Sequence, residues 1–152
     1  MLDSVRKNGG FYVGRYELSS AGTKKQEAPL TNTNWYNLYK ACKDIDSSGV
    51  VTAMIWGCQW DQVCNFIHSS GDQVSLTNSA SYGNYSNSTV SGHGSKQVTG
   101  YSDSWKTNNI YDLAGNCYEW TQEADKTNGR AIRGGNCGNR GDDCPVTFRG
   151  SY

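Results

Sequence analysis

The clearest pattern along the chain is helical. From Asn34 to Ile45 the apolar residues Trp35, Leu38, Tyr39, Cys42 and Ile45 recur at three- and four-residue intervals, which places them on one face of a helix. Thr33 stands where it can cap the first turn. After Ser47-Ser48-Gly49 and a short apolar link from Val50 to Ile55, a second stripe carries Trp60, Val63, Cys64 and Ile67 on one face. Strand patterns are shorter. Phe11 to Leu18 alternates as a strand, and Ala131 and Arg133 alternate with Ile132 before Gly134-Gly135 ends the run. Between them, Ile110, Tyr111 and Leu113 enter a turn at Ala114-Gly115-Asn116, and Tyr118 and Trp120 leave it in period-two alternation, which predicts a hairpin. The rest is polar. Residues 1–8 read as the end of a preceding helix or linker, 19–33 as a long loop containing Pro29, and 122–129 as a turn. Residues 69–108 form a long segment of Ser, Asn, Gly and Thr whose only large anchors are Tyr82, Tyr85, Tyr101 and Trp105.

At 152 residues, a division into two units would leave two poorly buried cores, so residues 1–152 read as one domain. Aliphatic residues are few, while five Trp and ten Tyr predict a core built from rings. Eighteen Gly predict turn-rich connections in place of long helices. The formal charge of zero comes without a basic run, so nothing marks a surface that tracks phosphates, and nucleic acid is not an expected partner. No apolar stretch approaches the length of a membrane helix, and the first residues, Met1-Leu2-Asp3-Ser4-Val5-Arg6-Lys7, lack the apolar region of a signal peptide.

The cysteines are Cys42, Cys58, Cys64, Cys117, Cys137 and Cys144. Their irregular spacing predicts reduced structural thiols, with Cys42 and Cys64 acting as small hydrophobes on helix faces. The pairs Cys58/Cys64 and Cys137/Cys144 are too far apart for a zinc knuckle. His93, between two glycines, reads as a solvated loop residue, and His68 as a partner for the end of the second helix.

Asp112 and Glu119 flank the predicted hairpin turn. Converging with turn carbonyls, they would make an oxygen-rich pocket for a hard cation; the alternative is that they cap the turn or pair with arginines. The string Ile110-Tyr111-Asp112-Leu113-Ala114-Gly115-Asn116-Cys117-Tyr118-Glu119-Trp120-Thr121 resembles the Gly-Leu-Tyr-Asp-Met-x-Gly-Asn-Val-Trp-Glu-Trp signature of the formylglycine-generating-enzyme (sulfatase-modifying factor) type of C-type lectin fold. Arg130-Ala131-Ile132-Arg133-Gly134-Gly135-Asn136 resembles that family's Arg-Val-x-Arg-Gly-Gly-Ser strand, and Gly10 to Leu18 its opening strand. Within the family the chain looks most similar to the variable proteins of diversity-generating retroelements.

The resemblance implies an α+β fold in which two short helices pack on a small twisted antiparallel sheet with long irregular loops. It implies a structural calcium ion held by the side chains of Asp112 and Glu119 and the carbonyls of Leu113, Gly115 and Cys117. It also implies more chain before the first strand and a Gly-Phe-Arg-Val strand beyond Tyr152 to close the sheet; without that strand an exposed edge would invite self-association. In the variable proteins the residues after Gly-Gly face a ligand and are diversified among Asn, Tyr, Asp, Ser, Gly, Cys and similar types. That assigns ligand binding to Cys137, Gly138, Asn139, Asp142, Asp143, Cys144, Val146, Thr147, Ser151 and Tyr152. The expected role is a non-enzymatic receptor-binding module on a phage tail or bacterial surface, recognising a protein or glycan. The alternative is a formylglycine-generating oxidase or related metalloenzyme. Against it, the copper-binding cysteines of that enzyme are separated by four residues, whereas six separate Cys137 and Cys144. His68 and His93 likewise lie in segments unsuited to a two-histidine iron site.

Overall fold

The computed structural model describes residues 2–45, 49–70, 72–126 and 129–152. Three helices, α1 (Leu2–Asn8), α2 (Trp35–Lys43) and α3 (Gly57–Ser69), precede two small antiparallel sheets. The first pairs β1 (Lys106–Thr107) with β2 (Ile110–Tyr111), and the second has the order β3 (Glu119–Lys126), β4 (Gly129–Arg133), β5 (Arg149–Ser151). This is a small α+β arrangement.

α3 forms where the apolar stripe predicted it. Trp60, Val63, Cys64 and Ile67 are all buried, and they meet Tyr82, Tyr85, Leu113, Ala114 and Val146 in the main core. Two ring donors anchor that core to backbone: Trp60 Nε1 donates to Val146 O at 2.8 Å and Tyr85 OH to Gly134 O at 2.6 Å. α2 sits more shallowly, with no fully buried residue. Its cap is Asn34, whose side chain accepts from Asn37 N at 3.0 Å; Thr33 instead accepts from the Asn37 side chain. Trp35 joins this helix to β3 by donating to Thr121 O at 2.8 Å, and the Arg130 guanidinium lies 4.7 Å above its ring.

Four expectations change. The alternating run Phe11 to Leu18 forms no strand; it touches its neighbours through single bonds, Tyr111 N to Arg15 O at 2.8 Å and Leu30 N to Leu18 O at 2.8 Å. Alternation supplies a face but not a ladder partner, and Phe11 and Tyr12 are left exposed. Ile110-Tyr111 and Tyr118-Trp120 do not pair with each other either. β2 pairs back onto β1 and β3 forward onto β4, because Asp112, Gly115 and Asn116 all have positive φ (57°, 78° and 57°) and curl the intervening chain away from a two-stranded ladder. A third strand closes the sheet: Ala131, Ile132 and Arg133 face Ser151, Gly150 and Arg149. Most of the expected 122–129 turn is strand, since β3 runs to Lys126. His68 does lie in the last turn of α3, as expected, and its Nδ1, 2.9 Å from Val74 O, also ties down the chain that follows.

The segment from 72 to 108 is irregular yet anchored, as its rings predicted. Tyr82, Tyr85 and Trp105 are buried, and Tyr101, more exposed, stacks on Trp105 at 5.4 Å.

Candidate functional site

Asn116 organises the centre of the molecule. Its left-handed backbone turns the side chain inward, where Oδ1 accepts from Asn84 Nδ2 (3.0 Å) and Gln97 N (2.9 Å). Nδ2 donates to Glu17 Oε2 (2.7 Å) and Gln97 O (3.3 Å), so the whole amide is satisfied. Its backbone carbonyl accepts from Cys137 N at 3.1 Å, which carries the order of this centre into the C-terminal segment. Gly115 beside it has no room for a side chain, since a Cβ there would lie 2.2 Å from Asn84 O.

Three carboxylates surround this centre. Asp112, 1% exposed, accepts from Gly100 N at 2.7 Å through Oδ2, and its Oδ1 has no partner. Glu17, 9% exposed, is held through Oε2 while Oε1 has no partner. Burial pushes Asp112 up to about 6 and Glu119 up to about 8, the latter with help from the Asp112 charge. Glu17 is raised well above the ordinary carboxylate range by burial first, then by Asp112 and Glu119. Among the described residues, no Lys or Arg pairs with any of the three. The expected alternative, that Asp112 and Glu119 pair with arginines, is therefore not what the fold does.

Of the calcium set assigned by resemblance, three residues line one cavity and two do not. Asp112 turns towards Gly100 and Gly115 packs on the Asn84 backbone, whereas Leu113, Cys117 and Glu119 line a cavity on the side of α2. Among the described residues no three His, Cys, Asp or Glu groups are placed to share an ion.

The second region is the C-terminal segment. Its backbone is fixed by the irregular loop beneath it: Ser79 N donates to Gly141 O (2.9 Å), Gly141 N to Asn87 Oδ1 (2.9 Å), Ser86 N to Asn139 O (2.8 Å) and Val146 N to Ser79 Oγ (2.9 Å). Of the residues assigned to ligand binding, Gly138, Asp142, Asp143, Ser151 and Tyr152 are exposed, and Cys137, Asn139, Cys144 and Thr147 are half-buried. Val146 is a correction. It is fully buried in the main core, and no ligand reaches it. Thr147 is also committed inward, donating from Oγ1 to Leu76 O at 2.8 Å. Asp142 accepts from Arg140 at 3.0 Å and from Asn87 at 3.2 Å, which fixes its direction at the surface.

All six cysteines are unbridged. Burial raises the thiols of Cys42 (to about 11), Cys64 (to about 12) and Cys144, the opposite of what activates a nucleophilic thiolate. His93 places Nδ1 3.2 Å from Tyr85 O, a loop contact of the kind its glycine setting suggested. The sequence reading missed Glu17, Asn84 and Asn116. Asn116 carried a legible signal, because Gly-Asn in a turn favours left-handed backbone, but the partners lie 99 and 32 residues away and no local pattern names them. Among the described residues no helix is long and apolar enough to cross a membrane. No family model, no curated protein and no solved structure matches this chain.

Proposed function

We propose that this chain is a non-enzymatic ligand-binding domain with a C-type-lectin-like fold, similar to the variable proteins of diversity-generating retroelements. Its C-terminal side chains meet a protein or glycan on a cell surface, in the setting of a phage virion or a bacterial surface. The observation that supports this reading is the division of labour within residues 136–152. Backbone groups of Cys137, Asn139, Gly141 and Val146 are tied to Asn116 and to the 79–87 loop, while the side chains of Asp142, Asp143, Ser151 and Tyr152 face solvent. A fixed backbone with free polar and aromatic side chains binds with little ordering cost, the property that serves antibody paratopes. Tyr152 adds a ring that is 78% exposed yet held edge-on against Trp120 at 6.1 Å, a large contact surface with restricted motion.

The test is a screen of the purified domain against arrayed bacterial glycans and displayed surface proteins. Binding is expected to fall at least tenfold when Asp142→Ala, Asp143→Ala and Tyr152→Ala are combined, with the melting temperature unchanged. A ligand indifferent to all three substitutions would overturn the reading. So would copper-dependent oxidation of a sulfatase-type cysteine peptide, lost in Cys137→Ser or Cys144→Ser.

A further inference from the structure

A cavity of about 420 Å³ lies between the 12–18 segment, α2, the 50–55 link and the 110–120 turn. That volume falls within the range of small-molecule sites, roughly 300–1,000 Å³. Its walls are mainly apolar, with Leu18, Leu38, Met54, Ile55 and Leu113 among them, and rings from Tyr16, Tyr118 and Trp120 complete the enclosure. Two acidic side chains stand among the apolar, hydroxyl and thiol groups of the wall. Glu17 and Glu119 both line the cavity, and among the described residues no Lys or Arg does.

Neither carboxylate is satisfied by the protein. Glu17 is 9% exposed and keeps one oxygen with no hydrogen-bond partner, the other being held by Asn116, while Glu119 is half-buried and has no ion-pair partner among the described residues. A carboxylate drawn out of water with an oxygen left unfilled is costly, and two of them near a third acid are costlier still, so the empty site favours their protonated forms and a bound cation favours the charged ones. Buried acids are normally paired, and in this molecule even the part-exposed Glu123 has a cation, Arg149 at 2.8 Å. Leaving Glu17 and Glu119 unpaired inside an apolar chamber is what a binding site for a positive group requires.

The shape of the site selects the kind of cation. A bare metal ion needs several oxygens around one point, and no three acidic, thiol or imidazole groups among the described residues supply that. The chamber is also far larger than an ion. We infer that this cavity binds a small organic cation, a primary amine with an apolar or aromatic body, whose ammonium group lies between Glu17 and Glu119 while its body packs against the aliphatic and ring walls. The ammonium donates three hydrogen bonds and so can satisfy both carboxylates at once, and ring faces add cation–π attraction. None of the lining residues belongs to 136–152, so this site stands or falls independently of the C-terminal ligand face.

The experiment titrates the whole chain with 2-phenylethylamine, tryptamine, cadaverine and agmatine, and in parallel with 2-phenylethanol and calcium chloride. Thermal shift and calorimetry are the readouts, with tryptophan fluorescence reporting on Trp60 and Trp120 in the cavity wall. At least one amine is expected to bind saturably, at least tenfold more tightly than the alcohol. Glu119→Gln is expected to weaken that amine at least tenfold while the protein stays folded, because it removes an unpaired acid without changing shape. Leu38→Trp, which fills the chamber from α2, is expected to abolish binding and leave both carboxylates in place. The inference is overturned if no amine binds, if amine and alcohol bind alike, or if Glu119→Gln leaves amine affinity intact. Calcium that stabilises the chain and displaces the amine would also overturn it.

Discussion

Asn116 uses its entire hydrogen-bonding capacity inside the protein, so its replacement is felt at four partners. Ala at this position strands the Glu17 carboxylate and both backbone polar groups of Gln97, and takes one of the bonds of the Asn84 amide, which keeps Ser95 O and Gly94 N. Each buried group left without a partner costs about 1–3 kcal/mol, so Asn116→Ala is expected to lower stability by about 3 kcal/mol or more, measured by urea unfolding. Glu119 behaves in the opposite way. Its folded value, about 8, lies above its ordinary value of 4.5, so the folded state holds a proton that the unfolded chain releases. That contribution is full below the ordinary carboxylate range and is lost as pH rises to about 8. Glu119→Gln removes the dependence. The melting temperature of this variant minus that of the unsubstituted chain is therefore expected to grow from pH 5 to pH 8, and a difference that stays flat or shrinks would show that burial does not hold this proton.

At the scale of elements, legibility followed the kind of contact each element makes. α3 was readable because its stripe is local: four apolar residues at helical spacing decide both the helix and its buried face. The 11–18 run and the 110–120 hairpin were misread because alternation says which face is apolar but not which strand lies alongside. The positive φ at Asp112 is a tertiary outcome that its residue type does not announce. β5 was missed for a similar reason. Three residues, Arg149–Ser151, show no hydrophobic alternation, and they are strand only because β4 offers an edge and Arg149 reaches across to Glu123 (2.8 Å) and Asp125 (2.9 Å) on β3. The helix–sheet junction rests on Arg133, 5% exposed, which contacts Asp61 on α3 at 2.9 Å and Glu123 on β3 at 3.6 Å. Asp61 and Glu123 are part-exposed, so water solvates them when the cation is removed, and the packing of the buried Arg133 side chain is the larger loss; Arg133→Met is expected to destabilise less than Arg133→Ala, which also opens a void. The ion pairs themselves contribute about 1 kcal/mol or less, and chemical denaturation of the two variants separates charge from packing.

For the molecule as a whole, the C-terminal segment joins buried anchors to outward-facing side chains, and the two fall on different positions of one short stretch. The sequence showed that 136–152 is polar and irregular, but composition does not distinguish a side chain facing solvent from one facing the core. Val146 was placed on the ligand face for that reason, and it proves to be a core residue whose carbonyl receives Trp60. A scan of this segment is expected to split accordingly. Substitutions at Asp142, Asp143, Ser151 and Tyr152 shift stability by no more than about 0.5 kcal/mol, as exposed positions do. Val146→Ala costs about 2 kcal/mol through the lost methyl groups and the cavity they leave. Gly141→Ala fails for a different reason: a Cβ there would lie 2.4 Å from Ala80 N, and the backbone bond from Ser79 to Gly141 has to give way. Thermal unfolding of a library limited to these positions measures the contrast directly. Uniform tolerance would mean that the loop at 79–88 does not hold the segment, and uniform sensitivity would mean that its outward side chains are structural and unavailable to any ligand.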